Sequence, residues 1–378
     1  MKKTKKDINV LNGSEQTVKL IAMKGDGIGP EITLAALEVL DAARTAFGLD
    51  IEVAYEEIGF ESLDKSGITI TDEVVARARA ADGVILGPIS HNVYPPLSEG
   101  GRNPSGVLRK ELDLFANVRP ARTRPGVESP IRKEFDLVIV RENTEGFYAD
   151  RTMVAGTGEF MPTEDVALAM RKITARGCQR IAEYAFKLAA QRGHKKVTAV
   201  HKANVLRLTD GLFLEKTRAI AALHPDIPYE EQLVDSMTAL LIRKPDAFDV
   251  VVTTNMFGDI LSDEASELSG GLGLAASLNA GFDHAIAQAQ HGSAPDIAGQ
   301  DKANPSSLIG SVAMLLRWLA ERRNEPRLQA AADAIDKAVD DALANNATRT
   351  SDLGGALGTK AFAGIVAGKV ASIAAACS

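Results

Sequence analysis

Short apolar runs and longer segments with helical spacing alternate along the first ninety residues of this chain. Residues 17–23 (TVKLIAM), 50–58 (DIEVAYEEI) and 83–89 (GVILGPI) are short and β-rich, so they predict strands. Between them, residues 33–47 and 72–81 carry apolar side chains at helical spacing and predict helices. This alternation predicts an α/β fold with many parallel strand pairs.

Three later apolar runs each lead into polar residues and predict further strands: 135–143 (FDLVIVREN), 195–204 (KKVTAVHKAN) and 248–260 (FDVVVTTNMFGDI). Residues 156–167 contain Gly and Pro and predict a protruding hairpin or arm. Residues 167–193 show the spacing of one long helix, and further helices are predicted at 210–225, 307–323 and 327–346. Residues 348–364 predict a loop before a last helix.

Composition narrows the class of protein. The chain has 378 residues, which predicts about two domains, and its 45% hydrophobic and 25% charged residues are typical of a soluble protein. A formal charge of −7, with no basic run interleaved with aromatics, argues against nucleic-acid binding. Residues 1–16 are basic and then polar, so we expect a disordered tail and not a secretion signal. We also expect no membrane span, because no window approaches the roughly 18 apolar residues required.

Only two cysteines occur, Cys178 and Cys377, and their wide separation gives no metal-ligand pattern. This usage fits a reducing compartment, so we expect a cytoplasmic protein.

Two aspartates, Asp259 and Asp263, form the first candidate site. On a helix their i, i+4 spacing puts both carboxylates on one face, where they repel unless a cation lies between them. Oxygen ligands suit Mg²⁺ or Mn²⁺. A solvated acidic helix face also explains the spacing, together with Glu264 and Glu267, and spacing alone favours it. The preceding apolar strand favours a ligand site, because ligands often lie at the carboxyl ends of strands in α/β sheets.

Three arginines lie near strand ends, and two possible proton-transfer groups follow predicted strands. Arg109, Arg119 and Arg141 would clamp a dicarboxylate if they converge, because guanidinium binds carboxylate bidentately; each alone is typical of a surface ion pair. Tyr148 and Lys202 are candidates for an acid and a base, or for side chains satisfied by solvent.

Two glycine-containing loops are candidate nucleotide sites. GDGIGPE (25–31) has Pro30 where the common dinucleotide motif needs its third glycine, so alone it is a weak signal. Residues 289–305 form a long aperiodic loop, which is either an ordinary connection or functional. Asp296 in this loop would accept hydrogen bonds from a ribose diol and repel a 2′-phosphate, which favours NAD over NADP.

Eight segments in order resemble the motifs of the β-decarboxylating dehydrogenases, the family that includes isocitrate, 3-isopropylmalate, homoisocitrate and tartrate/D-malate dehydrogenases. They are GDGIGPE, LRKELDLFANVRP, VRENTEGFY, HKANVL, TTNMFGDILSDEAS, GGLGLAAS, HGSAPDIAGQDKANP and TRTSDLGG. The resemblance implies an α/β, isopropylmalate dehydrogenase-like fold, in which two domains share a continuous twisted mixed sheet, and not the common dinucleotide-binding fold. It implies a discontinuous cofactor-binding domain at 1–114 and 270–378, a substrate, metal and dimerisation domain at 115–269, and a homodimer with an arm near 150–162.

The resemblance also implies roles for individual residues. Arg109, Arg119 and Arg141 would bind the malate carboxylates, Tyr148 would be the acid and Lys202, acting in the other subunit's site, the base. Asp259 and Asp263 would bind Mg²⁺ or Mn²⁺ together with Asp235 of the other subunit. The NAD site would comprise Asn204, His291, Gly292, Ser293, Ala294, Asp296, Ile297 and Asn304. The implied reaction is NAD-dependent oxidative decarboxylation of a 3-substituted malate.

The segment before Arg109 departs from the family patterns. Isopropylmalate enzymes place Glu seven residues before that arginine and Leu four and three before it, where this chain has Arg102, Ser105 and Gly106. Isocitrate enzymes place Ser six and Asn four before it, whereas here Asn103 and Ser105 exchange those types. The polar lining, with Arg102 nearby, favours a polar or acidic substituent, because a purely apolar one would leave those groups unpaired. An isocitrate-like or tartrate/D-malate-like substrate is therefore favoured, with Asn103 and Ser105 as substrate-binding residues.

Other functions remain open at this point. A 3-isopropylmalate dehydrogenase is the main alternative. A non-catalytic regulatory subunit of an NAD isocitrate dehydrogenase would be expected to lack the acid, base or metal ligands, and a relative acting on phosphorylated amino-acid derivatives would bind metal through histidines.

Overall fold

The computed structural model describes residues 17–148, 152–154, 156 and 158–377. The predicted tail, 1–16, lies outside the described residues, and so do parts of the predicted arm near 150–162.

Ten of the described strands form one sheet and two form a separate hairpin. In chain order they are β1 (Val18–Met23), β2 (Ile51–Glu56), β3 (Gly83–Leu86), β4 (Ala116–Arg122), β5 (Asp136–Glu142), β6 (Glu159–Thr163), β7 (Val166–Ala169), β8 (Val197–His201), β9 (Tyr229–Leu233), β10 (Val250–Thr253), β11 (Leu278–Ala280) and β12 (Ala285–Gln288).

The α-helices of the described chain cover both faces of the sheet. They are α1 (Gly29–Ala46), α2 (Phe60–Ser66), α3 (Asp72–Ala80), α4 (Pro104–Glu111), α5 (Ala175–Gln191), α6 (Thr209–Ala221), α7 (Val234–Arg243), α8 (Asn255–Ser269), α9 (Ser306–Arg323), α10 (Pro326–Leu343) and α11 (Thr359–Cys377).

The large sheet has the order β2-β1-β3-β12-β11-β4-β5-β10-β8-β9. Its outer pairs are parallel, but β12–β11, β11–β4 and β4–β5 are antiparallel. The prediction of one continuous mixed sheet is therefore confirmed, and the antiparallel centre distinguishes it from the all-parallel dinucleotide-binding fold. We call β2, β1, β3, β12 and β11 the first half-sheet and β4, β5, β10, β8 and β9 the second half-sheet. The predicted domain boundaries at 114/115 and 269/270 fall between the half-sheets, and the division into domains stays a prediction.

The two faces of the sheet centre differ in polarity. On one face, Val118, Val140 and Leu278 join a continuous apolar core with α1, α5, α6, α9, α10 and α11. On the other face, one apolar cluster lies beneath α3 and α4 and a separate one beneath α7 and α8. Because side chains alternate along a strand, Asn117 and Arg119 of β4 lie between these two clusters, on the polar face.

The structure corrects the boundary of one predicted helix. The long helix predicted from residue 167 begins only at Ala175, where Thr174 caps it by accepting from the Gly177 N–H over 3.0 Å. The residues before it form β7, which pairs with β6 as the predicted hairpin. A short apolar spacing fits a strand as well as a helix turn, so periodicity alone placed the boundary too early.

The expectation that no apolar window reaches membrane-spanning length is also wrong. Residues Thr359–Ala376 of α11 are long and apolar enough to cross a membrane, by length and composition alone. Of that window, 33% is buried inside the protein. Phe362, Val366 and Val370 recur every four residues and are fully buried in the apolar core. Core helices of soluble proteins pass the same test, so one such helix is weak evidence for a membrane span.

Candidate active site

A cavity of about 340 Å³ opens on the polar face of the sheet, between α4 of the first half and α8 of the second. Ten of the residues predicted from the sequence line it: Asn103, Ser105, Arg109, Arg119, Arg141, Tyr148, Asp259, Asp263, His291 and Gly292. Residues distant in sequence thus converge because the antiparallel centre brings both half-sheets to the same opening.

Two buried arginines form the floor of the cavity. Arg119 on β4 is 6% exposed and Arg141, on the adjacent strand β5, is 2% exposed. Arg119 Nη1 donates to Ser262 Oγ over 2.7 Å and to Asp259 Oδ1 over 3.1 Å. Arg141 also donates to Asp259 Oδ1, and its Nε and Nη2 donate to Asn255 Oδ1 over 3.0 and 2.6 Å. The side chains opposite these arginines come mainly from α8.

Asp259 and Asp263 lie on one face of α8, as their spacing predicts. The helix begins at Asn255, one turn before Asp259, so the i, i+4 relation holds. Arg119 Nη1 lies 3.1 Å from Asp259 Oδ1 and 3.4 Å from Asp263 Oδ1. Burial alone would raise the pKa of Asp259, but the charges of Arg141, Arg119 and Arg109 outweigh it and hold that pKa below its usual value. Both burial and neighbouring Arg141 lower the pKa of Arg119 to about 10.

These two carboxylates fit a divalent cation. Both reach the same guanidinium nitrogen, so their oxygens are close enough to face one small cation, and an oxygen-only donor set is what Mg²⁺ and Mn²⁺ prefer. Asp263 is exposed and also accepts from Gln290 Nε2 over 2.7 Å. Among the residues described, a single chain brings no three His, Cys, Asp or Glu side chains together around a metal position. Two carboxylates are thus what one chain supplies.

Tyr148 lies beside the same carboxylate. Its hydroxyl donates to Asp259 Oδ2 over 3.2 Å, and the guanidinium carbon of Arg141 is 5.6 Å from its ring centroid. A phenol at the edge of a cavity that carries cations and carboxylates is placed to give a proton to a bound molecule.

Lys202 and Asp235 do not line this cavity. Lys202 follows β8, Asp235 lies in the first turn of α7, and Lys202 Nζ donates to Asp235 Oδ1 over 2.5 Å. This hydrogen bond to Lys202 lowers the pKa of Asp235, which is 64% exposed. The two residues form a separate pair at the surface of the chain.

Helix α4 places the predicted specificity residues at the wall of the cavity. Asn103 caps the helix, its Oδ1 accepting from the Gly106 N–H over 3.0 Å, and Ser105 Oγ donates to Gln288 Oε1 over 3.0 Å. Arg102, which we took as evidence for an acidic substituent, lies outside the cavity lining and donates to Asp72 Oδ1 over 2.7 Å. That part of the substrate argument is wrong, because the arginine turns to the neighbouring helix α3.

The predicted cofactor residues divide between the cavity rim and more distant positions. His291 and Gly292 line the cavity, and burial lowers the pKa of His291. Ser293 Oγ lies 2.7 Å from Ser90 Oγ, and Asn304 Nδ2 donates to Asp352 Oδ2 over 3.0 Å.

The other predicted cofactor residues lie farther from the cavity. Ala294 and Ile297 are partly buried, and Asp296 is exposed on the same loop. Asn204 is exposed in the turn after Lys202 and does not line the cavity.

The GDGIGPE loop contacts protein backbone. A Cβ on Gly25, which has φ +70°, would lie 2.1 Å from the Pro88 carbonyl oxygen, and one on Gly27 would lie 2.0 Å from the Ser293 carbonyl oxygen. These glycines therefore let α1 begin beside the loop that carries His291 to Asp296.

Buried amides that the sequence interpretation missed connect the specificity helix to the arginines. Gln288 Oε1 accepts from Ser105 and from Asn279 Nδ2 at 3.1 Å, and Asn279 Oδ1 accepts from Asn117 Nδ2 at 3.2 Å. Asn117 Oδ1 in turn accepts from Arg119 Nε at 2.5 Å. The alternation of Asn117 and Arg119 in FANVRP was an available signal for a shared face. Asn279 and Gln288 gave no such signal, because in a sequence polar residues in central strands are not distinguishable from the polar residues of a turn.

Comparison with known proteins agrees with this architecture. A family model described as isocitrate/isopropylmalate dehydrogenase matches residues 19–366. The chain is 41% identical to a 3-isopropylmalate/3-methylmalate dehydrogenase of Methanocaldococcus jannaschii, covering 93% of this chain and 98% of that protein. It is also 41% identical to a homoisocitrate dehydrogenase of the same organism, covering 91% and 95%. The crystal structure of isocitrate dehydrogenase from Methylococcus capsulatus aligns with a TM-score of 0.82 and 38% identity, covering 94% of this chain and 99% of that one.

Proposed function

Since the chain belongs to the isocitrate/isopropylmalate dehydrogenase family, we propose that it oxidises and decarboxylates a 3-substituted malate, with NAD⁺ and Mg²⁺ or Mn²⁺ as cofactors. One observation carries the proposal. Arg109, Arg119 and Arg141, the phenol of Tyr148 and the two carboxylates of α8 surround a single cavity. A non-catalytic subunit would not need an acid and metal ligands around the same opening.

Each group of the cavity suits one part of that reaction. The three guanidiniums would bind the carboxylates of the substrate. Tyr148 would protonate the enol carbon after carbon dioxide leaves. Lys202 does not line the cavity of its own chain, so the Lys202 of a partner subunit would take the proton of the hydroxyl as hydride passes to NAD⁺. Asp259 and Asp263 would hold the divalent cation, which supplies Lewis-acid stabilisation of negative charge on the substrate oxygen.

We favour a substrate with a small polar substituent, such as an isocitrate-like or tartrate/D-malate-like acid. Asn103 and Ser105 are polar residues of the cavity wall, and Ser105 is tied to the amide chain that ends at Arg119. The alternative, 3-isopropylmalate, is supported by Ile89 in the cavity lining and by the position of Arg102 outside it. The two Methanocaldococcus relatives have equal identity and differently named substrates, so similarity does not choose between these classes.

An NAD⁺-reduction assay with Mn²⁺ tests this function. It compares D-malate, tartrate, isocitrate, homoisocitrate and 3-isopropylmalate side by side, with NADP⁺ as the competing cofactor. Failure to turn over any of the five, with metal shown to bind, would refute the dehydrogenase. A strong preference for 3-isopropylmalate would refute only the argument from the cavity wall.

We further propose a homodimer in which Lys202 and Asp235 complete the partner's cavity. Both lie outside the cavity of their own chain and pair with each other. The β6–β7 hairpin also exposes Phe160, Met161, Val166 and Leu168, each at 40% or more. An isolated two-stranded hairpin is marginally stable in water, so a second chain packing there would explain these apolar side chains.

Subunit complementation tests the shared site. Lys202→Ala and Asp259→Asn homodimers are each expected to be inactive, whereas a heterodimer has one site with both defects and one intact site. Random assortment makes about half of the dimers heterodimers, so a co-refolded mixture should regain about 25% of wild-type activity. No recovery, despite mass spectrometry showing mixed dimers, would place Lys202 and Asp259 in the site of the same chain.

A further inference from the structure

Two buried side chains hold the backbone from which Lys202 projects. The Lys202 backbone N–H donates to Asp210 Oδ2 over 2.6 Å, and the next N–H, at Ala203, donates to His201 Nδ1 over 3.0 Å. Asp210 is fully buried and His201 is 8% exposed. Because both acceptors are buried, the turn cannot rotate without leaving a polar group unpaired.

The carboxylate of Asp210 is balanced by one cation. Its Oδ1 accepts from Arg171 Nη1, and the Arg171 side chain is only 7% exposed. Arg171 Nη1 also donates to Thr209 Oγ1 over 2.7 Å. A buried carboxylate needs such a partner, so the Arg171 ion pair lets a charged acceptor lie beneath the Lys202 turn.

Arg171 also contacts the start of the carboxylate helix. Its Nη2 donates to Thr254 Oγ1 over 2.9 Å, and Thr254 is the N-cap residue of α8. The Thr254 hydroxyl makes no capping bond to its own helix. The guanidinium carbon lies 5.3 Å from the ring centroid of Phe257, in the first turn of α8. One ion pair therefore joins the Lys202 turn to the beginning of the helix that carries Asp259 and Asp263.

We propose that Asp210 is a positioning residue for Lys202: it fixes the backbone turn from which the base extends and does not touch the substrate. This inference rests on the base role proposed for Lys202. The acceptor beneath the Lys202 N–H sets the geometry of proton transfer, and small displacements of a catalytic group have large effects on rate.

A matched pair of double variants separates the acceptor from the ion pair. Arg171→Met with Asp210→Asn removes both buried charges and keeps an oxygen that accepts from the Lys202 N–H. Arg171→Met with Asp210→Ala removes the same charges and also the acceptor. We expect the alanine form to have a kcat about 10- to 100-fold below that of the asparagine form, with the KM for substrate changed less than about 3-fold. Equal kcat values in the two forms would overturn the proposal.

The same comparison in a Lys202→Ala background decides whether Asp210 acts through the base. If it does, the change from asparagine to alanine should alter the residual rate less than about 3-fold, because groups that act as a unit are not additive. An equal fall in rate from the asparagine form to the alanine form, with Lys202 present and with Lys202→Ala, would indicate a general structural role and contradict the positioning role.

Hydrogen exchange gives a reading that does not depend on turnover. The Lys202 amide should stay protected in the asparagine form and lose protection in the alanine form, with equal protection overturning the inference. The Lys202 amide could be protected in the wild-type protein and the asparagine form but not in the alanine form, while the wild-type protein turns over no substrate. In that case the proposed function fails and the positioning of Lys202 stands.

Discussion

Replacing Asp340 by Asn should destabilise the protein, because this carboxylate on α10 pairs with two arginines at the end of β4 in the second half-sheet. Asp340 lies on α10 and accepts from Arg122 Nη2 at 2.9 and 2.8 Å, and from Arg124 Nη1 at 2.7 Å. Burial and the charge of Arg122 lower the pKa of Arg124, whereas Asp340 acts against both. The side chain of Arg124 is 8% exposed and that of Asp340 is 22% exposed. Asp340 thus hydrogen-bonds both guanidiniums at the junction between α10 and the end of β4, and the charge of Asp336 adds to its effect on Arg124.

The size of the effect follows from what Asn keeps and what it loses. Its volume and one acceptor oxygen remain, so no cavity forms, but the negative charge is gone. Breaking a buried ion pair by removing one partner costs about 3–5 kcal/mol. Because Asp340 and Arg122 keep 22% and 28% exposure, we expect the lower end, about 3 kcal/mol of unfolding free energy.

Urea unfolding, followed by the fluorescence of the single tryptophan, Trp318, measures this loss. Asp341→Asn is the matched control, since Asp341 pairs with Lys337 at 3.1 Å and the side chains are 41% and 62% exposed. An exposed pair of this kind contributes at most about 0.5 kcal/mol. If the unfolding free energy of Asp340→Asn lies within about 1 kcal/mol of that of the control, at an unchanged m-value, the charge of Asp340 does not stabilise the junction and the reasoning fails.

Three further predictions concern the cavity, the cofactor and pH. Asp259→Asn should weaken Mn²⁺ binding and lower kcat/KM at least about 100-fold, because it removes a proposed ligand; a Mn²⁺ titration with unaltered affinity would contradict the metal site. Asp296→Lys should raise the ratio of kcat/KM for NADP⁺ to that for NAD⁺ by about 10-fold or more, and an unchanged ratio would remove the role given to that carboxylate. Burial lowers the pKa of His201, against the opposing charges of Glu231 and Asp210, so the unfolded chain takes up a proton first as pH falls below about 6.5. The unfolding free energy should therefore fall between about pH 7.5 and 5.5, and His201→Gln should show a smaller fall; an equal fall in urea titrations would exclude His201 as a contributor.

Elements with a clear period were predictable from the sequence. The strands β1, β3 and β5 and the helices α1, α9 and α10 appear where apolar spacing predicts them, within a few residues. The strands and helices of this group pack against apolar residues on one face or on both faces. The spacing of apolar residues in their sequence therefore matches the positions that are buried. The strand predicted at 248–260 is too long, because β10 ends at Thr253 and α8 begins at Asn255. The common helix face of Asp259 and Asp263 could also be predicted from the sequence, because the i, i+4 relation depends only on helix geometry.

Other elements carry no such pattern. Strand β9 reads YEEQL and lies at the sheet edge, and β4 reads ANVRPAR because one of its faces is the floor of the cavity. Neither has the apolar alternation of a half-buried strand. The antiparallel centre of the sheet was expected only through the family resemblance. The direction in which Arg102 turns depends on Asp72, thirty residues away, and no local pattern reports a contact of that kind.

The placement of α4 separates the residues proposed to select the substrate from those proposed to perform the chemistry. Asn103, Ser105 and Gly106 enter the cavity from the first half of the sheet, whereas Tyr148, Asp259 and Asp263 enter from the second. Mutations in the first turn of this one helix would therefore change the substituent that the cavity accepts and leave the proposed reacting end intact. Two relatives from one organism that are equally similar to this chain but are named for different substrates fit a cavity in which one wall can change independently of the other.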